Sequence, residues 1–571
     1  MLESSAALSA SALPPPQPRT WILDFFLLAA GVALLLGPHL GRRALWEPDE
    51  GRYAEIPREM VESGDYLTPR INGIKYFEKP PLAYWATAGA IRLAGPSETA
   101  VRTPLALFAL LGCAAVYAAG RRLFGRRAGL WAAAVLLTSP LYLGLGHVLT
   151  LDMPVSALLT ASLLAFLVAV REPPGGRRRA LVLVFYAFAA LAVLTKGLIG
   201  VVIPGLVIGA WIAVTRQWRL VKVALAPAGI LVFLAIAAPW HLLAARAHPE
   251  FAWFYFVHEH FLRYLTKVHK RYEPPWFFLP VLLGGLLPWT AFLPQALAGA
   301  WKETGETRRE TAFLVLWAVL VVAFFSISDS KLIPYVLPAV PPLALLVGRF
   351  LAGLSGDPAR EDAGPPSPSN GGRTALAALA VLGLAEAAFV VFWPGPAAGT
   401  KGRILYETLG GFRPALAAGF ALTGIVPWAL HRAGSKAAFP ALAAGSALVF
   451  SLLFASLPRY DAFQSTKPLA EALAPRLRPG DEIVTYHRYY QTLPFYLRRR
   501  VDVVAYAGEL EYGMEHEDTR AWMIDEAELW RRWRGPGRVY LVAESSKLPP
   551  ALALGSRAVA RSGIYELRAN R

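Results

Sequence analysis

Acids, bases and phenols crowd one stretch of this chain, WEPDEGRYAEIPREMVESGDYLTPRINGIKYFEKPPLAYW (Trp46 to Trp85), which holds Asp49, Arg52, Tyr53, Tyr76, Glu78 and Lys79. Four more polar insertions interrupt apolar sequence: TLDMP with Asp152, LTKG with Lys196, the loop containing HEHFLRY with His258, His260 and Arg263, and SISDSKLIPY with Lys331 and Tyr335. A carboxylate such as Asp49 can orient an acceptor oxygen or take its proton. Arg52, Lys79, Lys196 and Arg263 come from four separate insertions and can surround a phosphate, arginine by forked contacts and lysine as a point charge. The plain alternative for Arg52 and Lys79 is local pairing with Glu55 or Glu78. Glu78 with His258 or His260 offers the carboxylate and imidazole donors that zinc accepts. Tyr53, Tyr76 and Tyr335 can hydrogen-bond a phosphate or a sugar, or belong to an interfacial aromatic belt. Asp152 can hold a polar ligand or cap a helix. A single charge near a helix end ordinarily snorkels to water; five polar insertions converging on one face point instead to a site.

A membrane must position these groups. Hydrophobic residues make up 55% of the 571 and charged residues 17%, against about 25% charged in soluble domains. The mean hydropathy is positive. A net charge of +17 would suggest nucleic acid in a soluble protein, but a polytopic membrane protein collects Lys and Arg in its cytoplasmic loops, and no basic recognition face is present. The single cysteine, Cys113, allows no internal disulfide and no thiolate zinc site. With about 20 apolar residues per crossing, about thirteen spans are predicted between Trp21 and Leu457. They include Ala128 to Val148, Gly197 to Val214 and Trp276 to Leu297, while Leu82 to Leu93 is too short to cross. The polar, Pro-rich start precedes an uncleaved first helix.

Charge sets the expected orientation. With a cytoplasmic N-terminus, RRLFGRR, REPPGGRRR, TRQWRLVK and HRAGSK fall inside, as the positive-inside rule asks. All five polar insertions then lie outside, and so does the tail after Leu457, whose alternating helical and strand-like segments predict a small α/β domain. The expected organisation is a cytoplasmic tail over 1–20, a membrane-embedded catalytic body over 21–457 with its first outer loop at 41–101, and an outer α/β domain over 458–571. Ala54 to Ser63 fits a short helix on the membrane surface ending at Gly64.

The motifs DEGRYAEIPREMVESGDYLTPRINGIKYFEKPPLAYW, TLDMP, LTKG, HEHFLRY and SKLIPYVLP together resemble those of the bacterial aminoarabinose (4-amino-4-deoxy-L-arabinose) lipid A transferase family, within the protein-mannosyltransferase-like GT-C glycosyltransferases. The resemblance covers roughly the first 350 residues in order and spacing; beyond Leu354 it is one of architecture. Where the family usually reads DETRYA, FEKPIAGYW and KLPTYILP, this chain has Gly51, EKPPLAYW and KLIPYVLP, changes that leave the charged residues in place. The resemblance implies inverting transfer of a sugar from undecaprenyl phosphate to lipid A or a related lipid on the periplasmic face of the bacterial inner membrane, the property underlying polymyxin resistance. It implies Asp49 as the catalytic carboxylate; Asp152, at the outer turn between the third and fourth spans, is the second catalytic candidate, expected to hold the acceptor or the sugar amine. Arg52, Tyr53, Tyr76, Lys79, Lys196, Arg263 and Tyr335 are then expected on the donor phosphate. Lys331 either joins them or binds a lipid headgroup. The implied metal at Glu78 with His258 or His260 is a structural divalent ion such as zinc. The chain has no Gly-rich nucleotide signature, so no nucleotide cofactor is expected.

The fold class predicted is therefore an all-α polytopic GT-C membrane protein with a C-terminal periplasmic α/β domain. Other classes fit less well. A transporter predicts ionisable groups near the bilayer midplane and related halves, and no internal repeat is visible here. A glycoside hydrolase also uses paired carboxylates but has no need of a many-helix membrane body. A transferase of another sugar, or one with a protein or glycan acceptor, differs only in its substrates.

Overall fold

A computed structural model of the protein describes residues 20–262, 273–354, 370–393, 395 and 399–571. Among them, ten helices are long and apolar enough to cross a membrane, or eleven when the bent pair Phe278–Gly285 and Trp289–Trp301 counts as one span. The remaining predicted spans differ for local reasons. Ala128 to Val148 breaks into Arg126–Leu137 and Pro140–Leu145, because Ser139 precedes a proline and takes extended backbone (ψ 131°). Trp276 to Leu297 turns through 99° around Leu286–Pro288. Gly197 to Val214 is a 17-residue helix, Ile199–Thr215.

The first nine α-helices in chain order are α1 (Thr20–Leu36), α2 (Asp49–Ser63), α3 (Leu82–Ala94), α4 (Glu98–Phe124), α5 (Arg126–Leu137), α6 (Pro140–Leu145), α7 (Asp152–Arg171), α8 (Gly176–Lys196) and α9 (Ile199–Thr215). Helix α7 is apolar on every side, as a helix enclosed by others must be, and nearly all of it is buried between α4, α8 and their neighbours. Its first residue is Asp152, and the last residue of α8 is Lys196, so the two polar motifs meet at one end of the bundle.

Between α2 and α3 lies a hairpin, β1 (Arg70–Ile71) and β2 (Ile74–Lys75). Its Asn72-Gly73 turn has φ of 54° and 77°, the left-handed pair that two-residue hairpins favour. The C-terminal region forms a six-stranded sheet from β3 (Glu482–Tyr486), β4 (Asp502–Val504), β5 (Met523–Ile524), β6 (Val539–Glu544), β7 (Arg557–Ser562) and β8 (Tyr565–Ala569), in the order β5-β4-β3-β6-β8-β7. The first four are parallel; β8 runs antiparallel to β6, and β7 to β8. Alternation along β6 sends Val539, Leu541 and Ala543 to one core with Leu529 and Trp533 of helix Glu526–Arg534. Tyr540 and Val542 face the other.

That second core corrects the reading of α2. Ile56 and Met60 pack with Tyr489, Tyr490 and Leu493 of the C-terminal region, so the apolar side of α2 is covered by protein. The helix also begins five residues earlier than the surface-helix reading, at Asp49, and ends as expected at Gly64, whose left-handed φ of 74° lets its N–H bond the Met60 carbonyl. The Asn72 side chain locks the hairpin to the same region, donating to the Val501 carbonyl (2.9 Å) and accepting the Val501 N–H (3.0 Å).

Candidate active site

Three carboxylates lie in the sequence EPDE, and the fold gives them different environments. Glu50 is 1% exposed and accepts from Arg43 (2.5 and 2.8 Å), from Arg102 (3.0 and 2.9 Å) and from the N–H groups of Trp46 (3.0 Å) and Leu149 (2.9 Å). Burial raises its pKa, but Arg102 and Arg43 outweigh that and hold the carboxyl well below the usual range. Glu47 accepts the N–H groups of Gln491 (2.9 Å) and Thr492 (2.8 Å) and the Thr492 hydroxyl (2.5 Å). These two acids fasten the segment to the membrane body on one side and to the C-terminal region on the other. Asp49 between them is 55% exposed, at the first residue of α2.

Arg52 lies one turn on, with Nη1 3.7 Å from the Asp49 carboxylate. Its Nε donates to Gln491 Oε1 (3.1 Å), its Nη2 reaches Glu509 (3.5 Å), and its guanidinium lies over the Tyr76 ring at 5.8 Å. Tyr53 stacks on Tyr84 with centroids 6.1 Å apart. The Tyr53 phenol is held above its ordinary pKa by burial first and then by the charges of Asp49, Glu78 and Asp152, with Arg52 opposing. Four candidate groups from three chain segments thus act on one hydroxyl. The buried hydroxyls of Tyr76 and Tyr84 make no hydrogen bond among the described residues.

Lys196 pairs with Asp152 and lies 4.7 Å from the centre of the Tyr335 ring, so TLDMP, LTKG and SKLIPY converge. Asp152 makes no cap hydrogen bond; it is the first residue of α7 and sits beside a lysine. The Lys79 ammonium donates to Glu259 (3.0 Å) and to the Glu78 carbonyl (2.7 Å). Lys331 is buried and donates to the Ser328 carbonyl (2.6 Å) of its own loop. His258 stacks on Phe254 (5.1 Å), with Nδ1 3.5 Å from Glu259. Arg263 lies outside the described residues, as does the side chain of His260. Among the described residues no group of three or more His, Cys, Asp or Glu side chains is arranged to hold a metal.

Sequence reasoning missed Glu259, Gln491, Glu509 and Tyr84. Glu259 is the middle residue of HEH and Tyr84 belongs to the PPLAYW motif, so both signals were there. Gln491 and Glu509 reach Arg52 from more than 430 positions away along the chain, and no spacing rule reveals such a contact.

A multi-helix membrane body with acids, cations and phenols gathered at one end, under a C-terminal α/β region, is the architecture of a GT-C glycosyltransferase that uses a lipid-linked donor. Residues 78–242 match the family model described as dolichyl-phosphate-mannose-protein mannosyltransferase, and residues 469–552 match the aminoarabinose transferase C-terminal domain. The undecaprenyl phosphate-α-4-amino-4-deoxy-L-arabinose arabinosyl transferase of Edwardsiella ictaluri is 30% identical over 550 residues, 93% of this chain and 96% of that one. The second such transferase of Sodalis glossinidius is 37% identical over 319 residues, 56% of this chain and 58% of that one. The crystal structure of ArnT from Cupriavidus metallidurans bound to undecaprenyl phosphate matches with a TM-score of 0.84 and 31% identity, covering 97% of this chain and 98% of that one. The chain belongs to the undecaprenyl phosphate-aminoarabinose arabinosyl transferase family.

Proposed function

We propose that this protein transfers 4-amino-4-deoxy-L-arabinose from undecaprenyl phosphate to a phosphate of lipid A, on the periplasmic face of the inner membrane. The observation that carries this reading is the near full-length correspondence with the ArnT structure bound to undecaprenyl phosphate, joined to the exposed Asp49 carboxylate beside Arg52. In the reaction an acceptor phosphate oxygen attacks the anomeric carbon, a new C–O bond forms, and the bond from that carbon to the donor phosphate oxygen breaks. The electron pair leaves on undecaprenyl phosphate. The acceptor is already anionic near neutral pH, so Asp49 orients the attacking group and needs no strong basicity.

Negative charge grows on the departing phosphate, and cations aimed there stabilise the transition state more than the ground state. Arg52, Lys79 and Lys196 supply them, with Arg263 as a fourth member of the set. Carboxylates already touch three of these, Asp49 and Glu509 on Arg52, Glu259 on Lys79 and Asp152 on Lys196. A phosphate therefore binds through their remaining N–H donors or by displacing a carboxylate. The hydroxyls of Tyr53 and Tyr76, near Arg52, and of Tyr335, whose ring lies beside Lys196, serve as donors to phosphate or sugar oxygens, and Asp152 serves the sugar amine or the acceptor. A structural divalent metal at Glu78 with His258 or His260 belongs to this reading, as do the cytoplasmic N-terminal tail and the periplasmic location of residues 458–571. The test is expression in a Gram-negative host that makes the lipid-linked sugar but lacks its own transferase. Lipid A mass spectra showing an aminopentose adduct support the reading; none from well-inserted protein overturns the sugar or the acceptor.

A further inference from the structure

The topology of the C-terminal sheet gathers arginines at one of its ends. β3 and β6 are parallel, and β7 begins opposite the place where β8 ends. The residues just before β3, just before β6, at the start of β7 and just after β8 are therefore neighbours. Those positions hold Arg476 and Arg478, Arg538, Arg557 and Arg571, which with Tyr540 line a cleft of about 320 Å³ that no acidic side chain enters. None of the five is in an ion pair among the described residues. Three other arginines of the region are paired with acids, Arg531 with Glu528, Arg532 with Asp502 and Glu482, and Arg568 with Glu566. Like charge gathered in a concave surface concentrates anions from solution.

The cleft lies at the opposite end of β7 from its turn with β8. The Ser562–Gly563 turn joining β7 to β8 presses against the backbone of Ala462, near the end of the apolar helix region Ala438–Gln464. From there β7 runs back to Arg557, about 17 Å at 3.3 Å per residue. None of the cleft residues belongs to the cluster around Asp49. We infer that this cleft is a second binding site, for a ligand carrying several phosphate esters, held by forked guanidinium contacts. The ligand is either the phosphorylated saccharide part of a glycolipid projecting from the membrane or a soluble polyphosphate.

Calorimetric titration of the full-length protein in detergent separates the two sources. The probes are a water-soluble oligosaccharide with several phosphate monoesters, the same oligosaccharide after phosphatase treatment, and sodium tripolyphosphate. The phosphorylated probes bind the wild type, and the R538Q/R557Q variant binds them at least tenfold more weakly with an unchanged Tm. R520Q/R561Q removes equal charge at exposed positions outside the cleft and binds like the wild type. Tighter binding of the phosphorylated saccharide than of tripolyphosphate assigns the site to a glycolipid; the opposite order assigns it to a soluble polyanion. Equal binding by wild type and R538Q/R557Q, equal loss in the control variant, or no binding to the wild type at millimolar probe would overturn the inference.

Discussion

At the residue scale, function and scaffold are interleaved one position apart. Glu47 and Glu50 are ionisable groups used as anchors, while Asp49 between them keeps its carboxylate accessible. Removing one partner from a buried, multiply paired charge costs about 3–5 kcal/mol, so Glu50→Gln, which leaves Arg43 and Arg102 facing an uncharged amide, lowers thermal stability by that order. The sign of the pH effect follows from the depressed pKa. Stability contributed by Glu50 is complete above the unfolded-state carboxyl pKa of about 4.3 and is lost only as the pH falls through the lower folded value. The deficit of the variant is accordingly constant from pH 6 to 8; a deficit that varied across that window would contradict the pairing. The composition of EPDE revealed a charged motif, yet nothing in it distinguished the exposed acid from the buried ones. Burial is decided by Arg43 together with Arg102 and the Gln491-Thr492 backbone, and the last two lie too far along the chain for a local reading to include.

At the element scale, α2 is where the two halves of the protein meet. Gly51 shows how closely: a Cβ there would lie 2.6 Å from the backbone of Gln491 and of Thr492. The family usually has threonine at this position, so the departure noticed in sequence corresponds to a tight approach of the C-terminal region. Gly51→Thr is expected to cost about 1–3 kcal/mol through overpacking and to increase protease cleavage after residue 457. An unchanged Tm and cleavage pattern would show that the contact yields freely. The helices and the strand–helix alternation were legible because periodicity and length report them directly. The breaks at Ser139-Pro140 and around Pro288, and the burial of α2, were not, because they depend on neighbours distant in sequence. For the loop carrying His258 and His260, the proposed metal predicts about one equivalent of zinc in purified protein and a lower Tm after chelation. Metal-free protein whose Tm is insensitive to chelation contradicts it.

At the scale of the whole molecule, the polar insertions meet at one end of the helical body and the C-terminal region closes over them, giving Gln491 and Glu509 to Arg52. The pattern of insertions was visible in the sequence, since each interrupts an apolar run. The contribution of the C-terminal region was not, because its contacts with α2 span hundreds of residues. The proposed orientation predicts that a cysteine at Glu526, half exposed on its helix, reacts with a membrane-impermeant maleimide in spheroplasts. One at Arg177, in the first turn of α8, does not; the native Cys113 is buried and silent. The reverse labelling pattern would invert the topology.

The central claim is that Asp49 acts on the substrate while its acidic neighbours hold the fold, and the most direct test measures transfer rate and Tm together for Asp49→Asn. We predict a loss of at least about a hundredfold in kcat, the scale of a positioned catalytic group, with a Tm equal to that of the wild type. Near-normal transfer by Asp49→Asn, or a loss of activity explained by a fallen Tm, would contradict the account.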